Sequence, residues 1–275
     1  MAKSKKKKYG KKRIPQTKKA LTTKMARRNL NDKLQAIYKD EVSLDTICDH
    51  QCACCKVAMP QINYSEFVNM ATSIWNEFSF EDKLDLICTS IEYFFRYEYE
   101  KWGMESLIKP CMLLDQETSL CKKYEKRPLS CRLYGLWPED VYNERVDKFA
   151  RTYEQYGLAR EELPLNKQCP LVKRKDTTVE LTKDVIEGLY EKLDKLDKAV
   201  GDFTSLQITA KENYRTFHDW LLLKIYGEEW LASLTTFMLA SDRSVIEEQI
   251  KEVNKAIRAG ITEKQLTDIF KNEQV

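Results

Sequence analysis

Apolar positions recur at helical spacing along most of this chain. From residue 65 onward, Phe67, Val68, Ala71, Ile74, Trp75 and Phe78 fall on one face of a 3.6-residue repeat, which predicts a helix with one buried side. Ser79 and Asp82 have the spacing of a capping box, so a second helix starts just after Ser79, with Leu84, Ile87, Cys88, Ile91, Phe94 and Phe95 as its apolar stripe. Cys88 sits inside that stripe and reads as a small buried hydrophobe, not a ligand. A shorter helix is expected over residues 32–46, carrying Leu34, Ile37 and Tyr38, and another over 139–160. Leu181, Val185, Ile186, Leu189, Leu193 and Leu196 mark a further amphipathic helix, and three more are expected near 205–227, 228–240 and 242–272. Trp220, Trp230 and Phe237 read as core of this last third, and His218 as an inert helix residue with no nucleophile or second ligand near it.

The periodicity stops between residues 106 and 139, where three prolines and three cysteines stand in an irregular stretch, and again where Pro164 and Pro170 bracket Cys169. The fold class is therefore mainly α, with irregular cysteine-rich loops packed on helices and a C-terminal helical subdomain. The hydrophobic fraction of 43%, the charged fraction of 32% and only eight glycines agree with a helical globular chain. At 275 residues it can bury a core without covalent staples.

Charge divides the chain in two. Residues 1–28 hold 13 Lys or Arg and no acid, while the remainder holds 33 bases against all 43 acids, about −10. This first segment has too little apolar content to order itself alone and is expected to be a disordered arm. Lys5, Lys6, Lys7, Lys8, Lys11, Lys12, Arg13, Lys18, Lys19, Lys24, Arg27 and Arg28, with Tyr9 available for stacking, suit phosphate neutralisation in RNA or DNA, with steep salt dependence and little base specificity. A solubility tail or an import signal is the plainer reading, and anionic lipid fits less well because no apolar face accompanies the charge. No apolar run resembles a signal peptide or a transmembrane helix, so a reducing cytoplasmic setting and no membrane partner are expected.

Cysteines supply the candidate chemistry. Cys48, Cys52, Cys54 and Cys55 fall within eight residues, and Cys111, Cys121, Cys131 and Cys169 follow singly. Thiolates ligate zinc or iron in sets of about four, and several ligands on one short loop lower the entropy of assembling such a site. A disulfide framework is disfavoured by the odd total of nine and by the size of the core. Adjacent Cys54 and Cys55 have diverging side chains and suit two metals, or one metal and a neighbouring role. His50 is an optional ligand, read more simply as a solvent-facing loop residue.

The cysteine knot, then Cys111-Met-Leu-Leu and Cys121-Lys-Lys-Tyr-Glu-Lys-Arg127-Pro128-Leu-Ser-Cys131-Arg132, resembles the YkgJ-like family, named for its CxxCxxCC signature and described as zinc- or iron-chelating. The likeness spans roughly residues 45–172, with Cys169-Pro170 similar to the family's last cysteine. In the first block the intervening cysteine is Cys52 where the motif has position 51, here Gln51. The resemblance implies zinc or an iron–sulfur cluster. Arg127 and Arg132 are placed to donate hydrogen bonds to sulfur, to hold the ligand loop and to offset the negative charge of a thiolate site; pairing with surface acids such as Glu125 is the plainer reading. Domain limits are expected at 1–30 for the arm, 31–175 for the cysteine domain and 176–275 for the helical subdomain. Two functions remain open: a non-catalytic metal-binding component of a nucleoprotein assembly, or an iron–sulfur enzyme or electron carrier acting on a protein or nucleic acid.

Overall fold

The computed structural model describes residues 28–39, 43–44, 46–48, 53–97, 108–154, 156–170, 172–200 and 214–266, and for Cys48 the backbone only. It is mainly α. The helices are α1 (Leu30–Lys39), α2 (Ala53–Val57), α3 (Tyr64–Glu77), α4 (Phe80–Tyr97), α5 (Leu129–Leu133), α6 (Glu139–Glu154), α7 (Lys183–Val200), α8 (Phe217–Tyr226), α9 (Glu228–Ala240) and α10 (Arg243–Gly260). Among the described residues the strands form two antiparallel pairs. β1 (Thr46–Cys48) lies against β3 (Val172–Arg174), with Cys48 opposite Val172. β2 (Gln61–Asn63) lies against β4 (Tyr214–Thr216), with Ile62 opposite Arg215.

The expected stripes are the buried faces of α3 and α4, and the Ser79 cap forms as its spacing predicts. The Ser79 hydroxyl accepts from the Asp82 amide at 3.1 Å, and the Asp82 carboxylate accepts from the Ser79 amide at 3.3 Å. Helix α8 is buried over most of its surface, with Phe217, His218, Trp220, Leu221, Leu222 and Leu223 all buried, and this is the pattern of a helix at the centre of a core. It packs on α3, α4 and α9, and Trp220 donates from its indole to the Ile62 carbonyl at 3.0 Å. Phe67 of α3 stacks on Trp220 at 6.1 Å and tilts against Phe217 at 5.4 Å. The buried side chains of residues 30–133 and 181–266 make one continuous cluster.

Several boundaries differ from expectation. The helix expected over 32–46 is α1, which starts at Leu30 and ends at Lys39, and Thr46 belongs to a strand. The helix expected over 139–160 stops at Glu154, and residues 160–162 form a separate 3-10 turn. That expected over 205–227 is described only from 214, where a strand precedes α8. Thr216 caps this helix through the Asp219 amide at 3.4 Å, and Gly227 ends it at φ +82°. The last helix ends at Gly260, and Thr262 with Gln265 caps a new short turn. His218 is on α8 as expected, but fully buried, with its ring nitrogen 2.9 Å from the Thr216 hydroxyl and its ring edge-on to Tyr93. Among the described residues no helix is long and apolar enough to cross a membrane.

Candidate metal centre

Three chain segments bring thiols to one wall. The short helix α2 carries Cys54 and Cys55, whose sulfurs are 3.9 Å apart. Residues 109–111 run beside it: the Cys111 amide donates to the Cys55 carbonyl at 2.6 Å and the Lys109 amide to that of Val57 at 2.9 Å. The chain then turns back, with the Lys122 amide on the Leu113 carbonyl at 2.8 Å and a bridge between Leu114 and Cys121. Asp115 closes this turn by accepting from the amides of Glu117 and Thr118, each at 3.0 Å. A 3-10 turn over Tyr124–Lys126 leads to Pro128, whose carbonyl accepts from the Cys131 amide at 3.0 Å at the start of α5.

Cys55, Cys111, Cys121 and Cys131 form one electrostatic group. Burial pushes the Cys111 thiol up to about 12, helped by Cys55 and Cys121. Burial raises Cys131 well above the ordinary thiol range, with Cys111, Cys55 and Cys121 adding to the effect and Arg127 opposing it. Cys54 and Cys169 add to the burial that raises the phenol of Tyr134, which lines the same cavity as Cys54. Cys169 is buried on the loop before β3, and Gly135 fixes its approach. At φ +86° this glycine has a Cβ direction pointing 2.6 Å from the Cys169 carbonyl oxygen, so no side chain fits there. The pairing of β1 with β3 also sets the Cys48 backbone opposite Val172, three residues beyond Cys169. The Cys48 side chain, Cys52 and His50 lie outside the described residues, as do the arm residues from Lys5 to Arg27. Arg28 is exposed in the turn before α1, and Cys88 is buried in the α4 stripe.

Cys54, Cys55, Cys111, Cys121 and Cys131 line a cavity of about 400 Å³. The described cysteines are thiols, with no disulfide among them. They stand around the cavity, and among the described residues no three Cys, His, Asp or Glu groups meet at a common metal-holding point. The donor set nonetheless fits zinc or an iron–sulfur cluster. It offers several soft sulfurs on one wall, no carboxylate among the described lining residues and a guanidinium acting on Cys131.

Both arginines expected at the ligand loop are buried beside it, but among the described residues their bonds run to oxygens, mostly backbone carbonyls, and not to sulfur as expected. Arg127 donates to the Tyr124 carbonyl at 3.0 Å and to the Thr46 carbonyl at 3.3 Å, and lies flat on the Tyr124 ring at 3.6 Å. Arg132 donates to the carbonyls of Arg127 at 2.9 Å, Glu125 at 3.1 Å and Leu44 at 3.5 Å, over the Tyr38 ring. A planar fork with five donors ties three separated carbonyls in this way and holds their geometry more rigidly than a flexible ammonium. The pair fastens the turn between Cys121 and Cys131 to the segment entering β1.

Sequence reasoning missed the buried acids that brace this wall. Glu66, 2% exposed, accepts from the Tyr38 hydroxyl at 2.6 Å, the Leu129 amide at 2.6 Å and the Asn63 amide at 3.0 Å. It thereby holds α1, α3 and the first residue of α5. Burial still dominates over these three donors and raises its carboxyl to about 7. Asp197 of α7 accepts from the amides of Tyr64 at 3.1 Å and Ser65 at 2.8 Å, so a carboxylate from one helix caps the start of another. Lys123, 4% exposed, reaches Glu77 at 2.6 Å and Ser73 at 3.1 Å and pins the 3-10 turn to α3. The spacing of Asn63 and Glu66, a capping-box pair before an apolar run, was the available signal for Glu66; Asp197 and Lys123 carry none.

Residues 47–155 match the family model CxxCxxCC, described as "Putative zinc- or iron-chelating domain". The matched stretch covers every cysteine that lines the cavity and ends before Cys169. No curated protein and no solved structure matches the chain.

Proposed function

We propose that this chain, which carries a CxxCxxCC zinc- or iron-chelating domain over residues 47–155, is a metal-binding helical protein whose basic arm contacts nucleic acid. In this reading it is a non-catalytic component of a nucleoprotein assembly in a reducing, cytoplasmic compartment. The arm occupies residues 1–30, the metal-binding domain 31–175 and a helical subdomain 176–275. The observation that carries the metal reading is the convergence of Cys54, Cys55, Cys111, Cys121 and Cys131, from separate segments, on one cavity wall. Zinc bound there would cross-link those segments, and an iron–sulfur cluster would add one-electron chemistry. The arm reading rests on 13 bases with no acid over residues 1–28, against a body of opposite sign.

A second reading, an iron–sulfur enzyme or electron carrier, is favoured by the cavity itself, since a purely structural zinc site has no use for open space beside its ligands. Elemental analysis and an absorption spectrum of anaerobically purified protein separate the two. Zinc without visible absorbance supports the first; a broad sulfur-to-iron charge-transfer band supports the second; protein free of both metals after purification and reconstitution removes the metal reading. Deleting residues 1–28 tests the arm: nucleic-acid affinity and its salt slope should both collapse, and unchanged values would sink the contact.

A further inference from the structure

The cavity is much larger than a metal requires. A sphere with the radius of a zinc–sulfur bond, about 2.3 Å, encloses only about 50 Å³, whereas the cavity holds about 400 Å³. That volume is in the range of small-molecule sites. The lining is rich in aromatic rings, among them Tyr134, Trp137, Tyr142, Phe149, Tyr190 and Tyr214. Several of their hydroxyls are already engaged. Tyr190 and Tyr214 bond each other at 3.2 Å, and Tyr142 bonds the carbonyls of Leu165 at 2.5 Å and Lys167 at 3.1 Å. The space is therefore bounded largely by ring surface.

Its charge is one-sided. The described lining residues include Arg127 and Arg145 but no Asp, Glu or Lys. Arg127 is occupied in holding Thr46 and Tyr124. Arg145 is different: it is exposed on α6, and its guanidinium carbon lies 4.3 Å from the centre of the Trp137 ring. Stacking fixes the plane of a guanidinium while leaving its N–H edge available for a planar anion. Its field reaches Tyr142, Tyr190 and Tyr214, so the charge sits on the cavity side of the helix.

We propose that this cavity binds a small organic anion with a flat apolar body, whose acid group pairs with Arg145 at the rim while its body lies among the aromatic rings of the lining. The inference rests on the metal reading only for the statement that the ligand lies beside a metal; the cavity, the rings and Arg145 stand without it.

The test uses the full chain as purified with its metal and two fluorescent probes with the same rings, anilinonaphthalene sulfonate and neutral N-phenyl-naphthylamine. The expected result is one saturable site that prefers the sulfonate by about tenfold, the scale of one charge-assisted pairing. Arg145→Gln should abolish that preference and leave the neutral probe unchanged. Val146→Trp, which puts a ring into the cavity from α6, should weaken both. Equal affinity for the two probes, or a preference that survives Arg145→Gln, overturns the proposal. Arg145 is exposed, so the variant folds, and its metal content is measured in parallel. Full metal content without sulfonate preference defeats this proposal alone. Sulfonate preference in a protein that takes up no metal defeats the metal reading alone.

Discussion

The region around α8 and the thiol wall are held together by different physics. Around α8 the contacts are apolar and dense, with Phe67 in ring contact with both Phe217 and Trp220. The thiol wall has short elements and few periodic residues. Its shape comes from Arg127, Arg132, Glu66 and Lys123, polar side chains that reach across the chain to backbone groups and to each other's segments. A core of the first kind draws its stability from dispersion and burial spread over many atoms. A frame of the second kind depends on each bond, since a buried group that loses its partner keeps its full desolvation cost.

The strongest way to break the comparison is to remove the metal. Replacing Cys111 and Cys131 together by Ser should abolish metal binding. Where bound metal contributes to folding on the order of 10 kcal/mol, hydrogen exchange should then accelerate over residues 108–134 and change little in α8. Uniform loss of protection in both regions would show that the wall and the core are one cooperative unit.

Next in size is Trp220→Ala, expected to cost about 3–5 kcal/mol in denaturant unfolding. Its cost should be the same with and without a chelator. A chelator-dependent value would couple the two regions directly.

A pH titration tests the braces. Glu66 holds its proton up to about 7 in the folded chain and titrates near 4.5 when unfolded. Between those values the folded state keeps a proton that the unfolded state has released. Stability should therefore fall as pH rises through this window, by up to about 3 kcal/mol, and level off above it. Asp197, also raised by burial, adds a fall of the same sign. Glu66→Gln should flatten the larger part of the slope, and a wild-type curve that rises across the window would contradict the assignment.

The smallest effect is at the exposed cap of α4. Ser79→Ala should lose about 1 kcal/mol and leave metal content untouched.

What could be read beforehand follows the same division. Helices α3 and α4 were legible because burial of one face writes a period into the sequence, and Cys88 was correctly placed in that stripe. The strands were not. Each is three residues long, and β1 finds its partner more than a hundred residues away, so no local alternation announces it. Tyr214 to Thr216 was absorbed into a longer helix, although Thr216 and Asp219 have capping-box spacing that marks the true start of α8. The candidate ligands were found by residue type and local density. Their grouping was not, because Cys55 meets Cys111 through a backbone bond between distant segments. Arg127 and Arg132 were picked out for the right loop, while the carbonyl partners that they hold appear only in three dimensions.

The closure of the thiol wall by β3 has a consequence in time. The chain leaves the ribosome from its N-terminus, so Cys54 and Cys55 emerge more than a hundred residues before Cys169 and Val172. At about 5–20 residues per second, they wait on the order of ten seconds before β1 can meet its partner strand. During that interval the early thiols are unsheltered, and the cell's supply of metal and oxidant competes for them before the fold can choose.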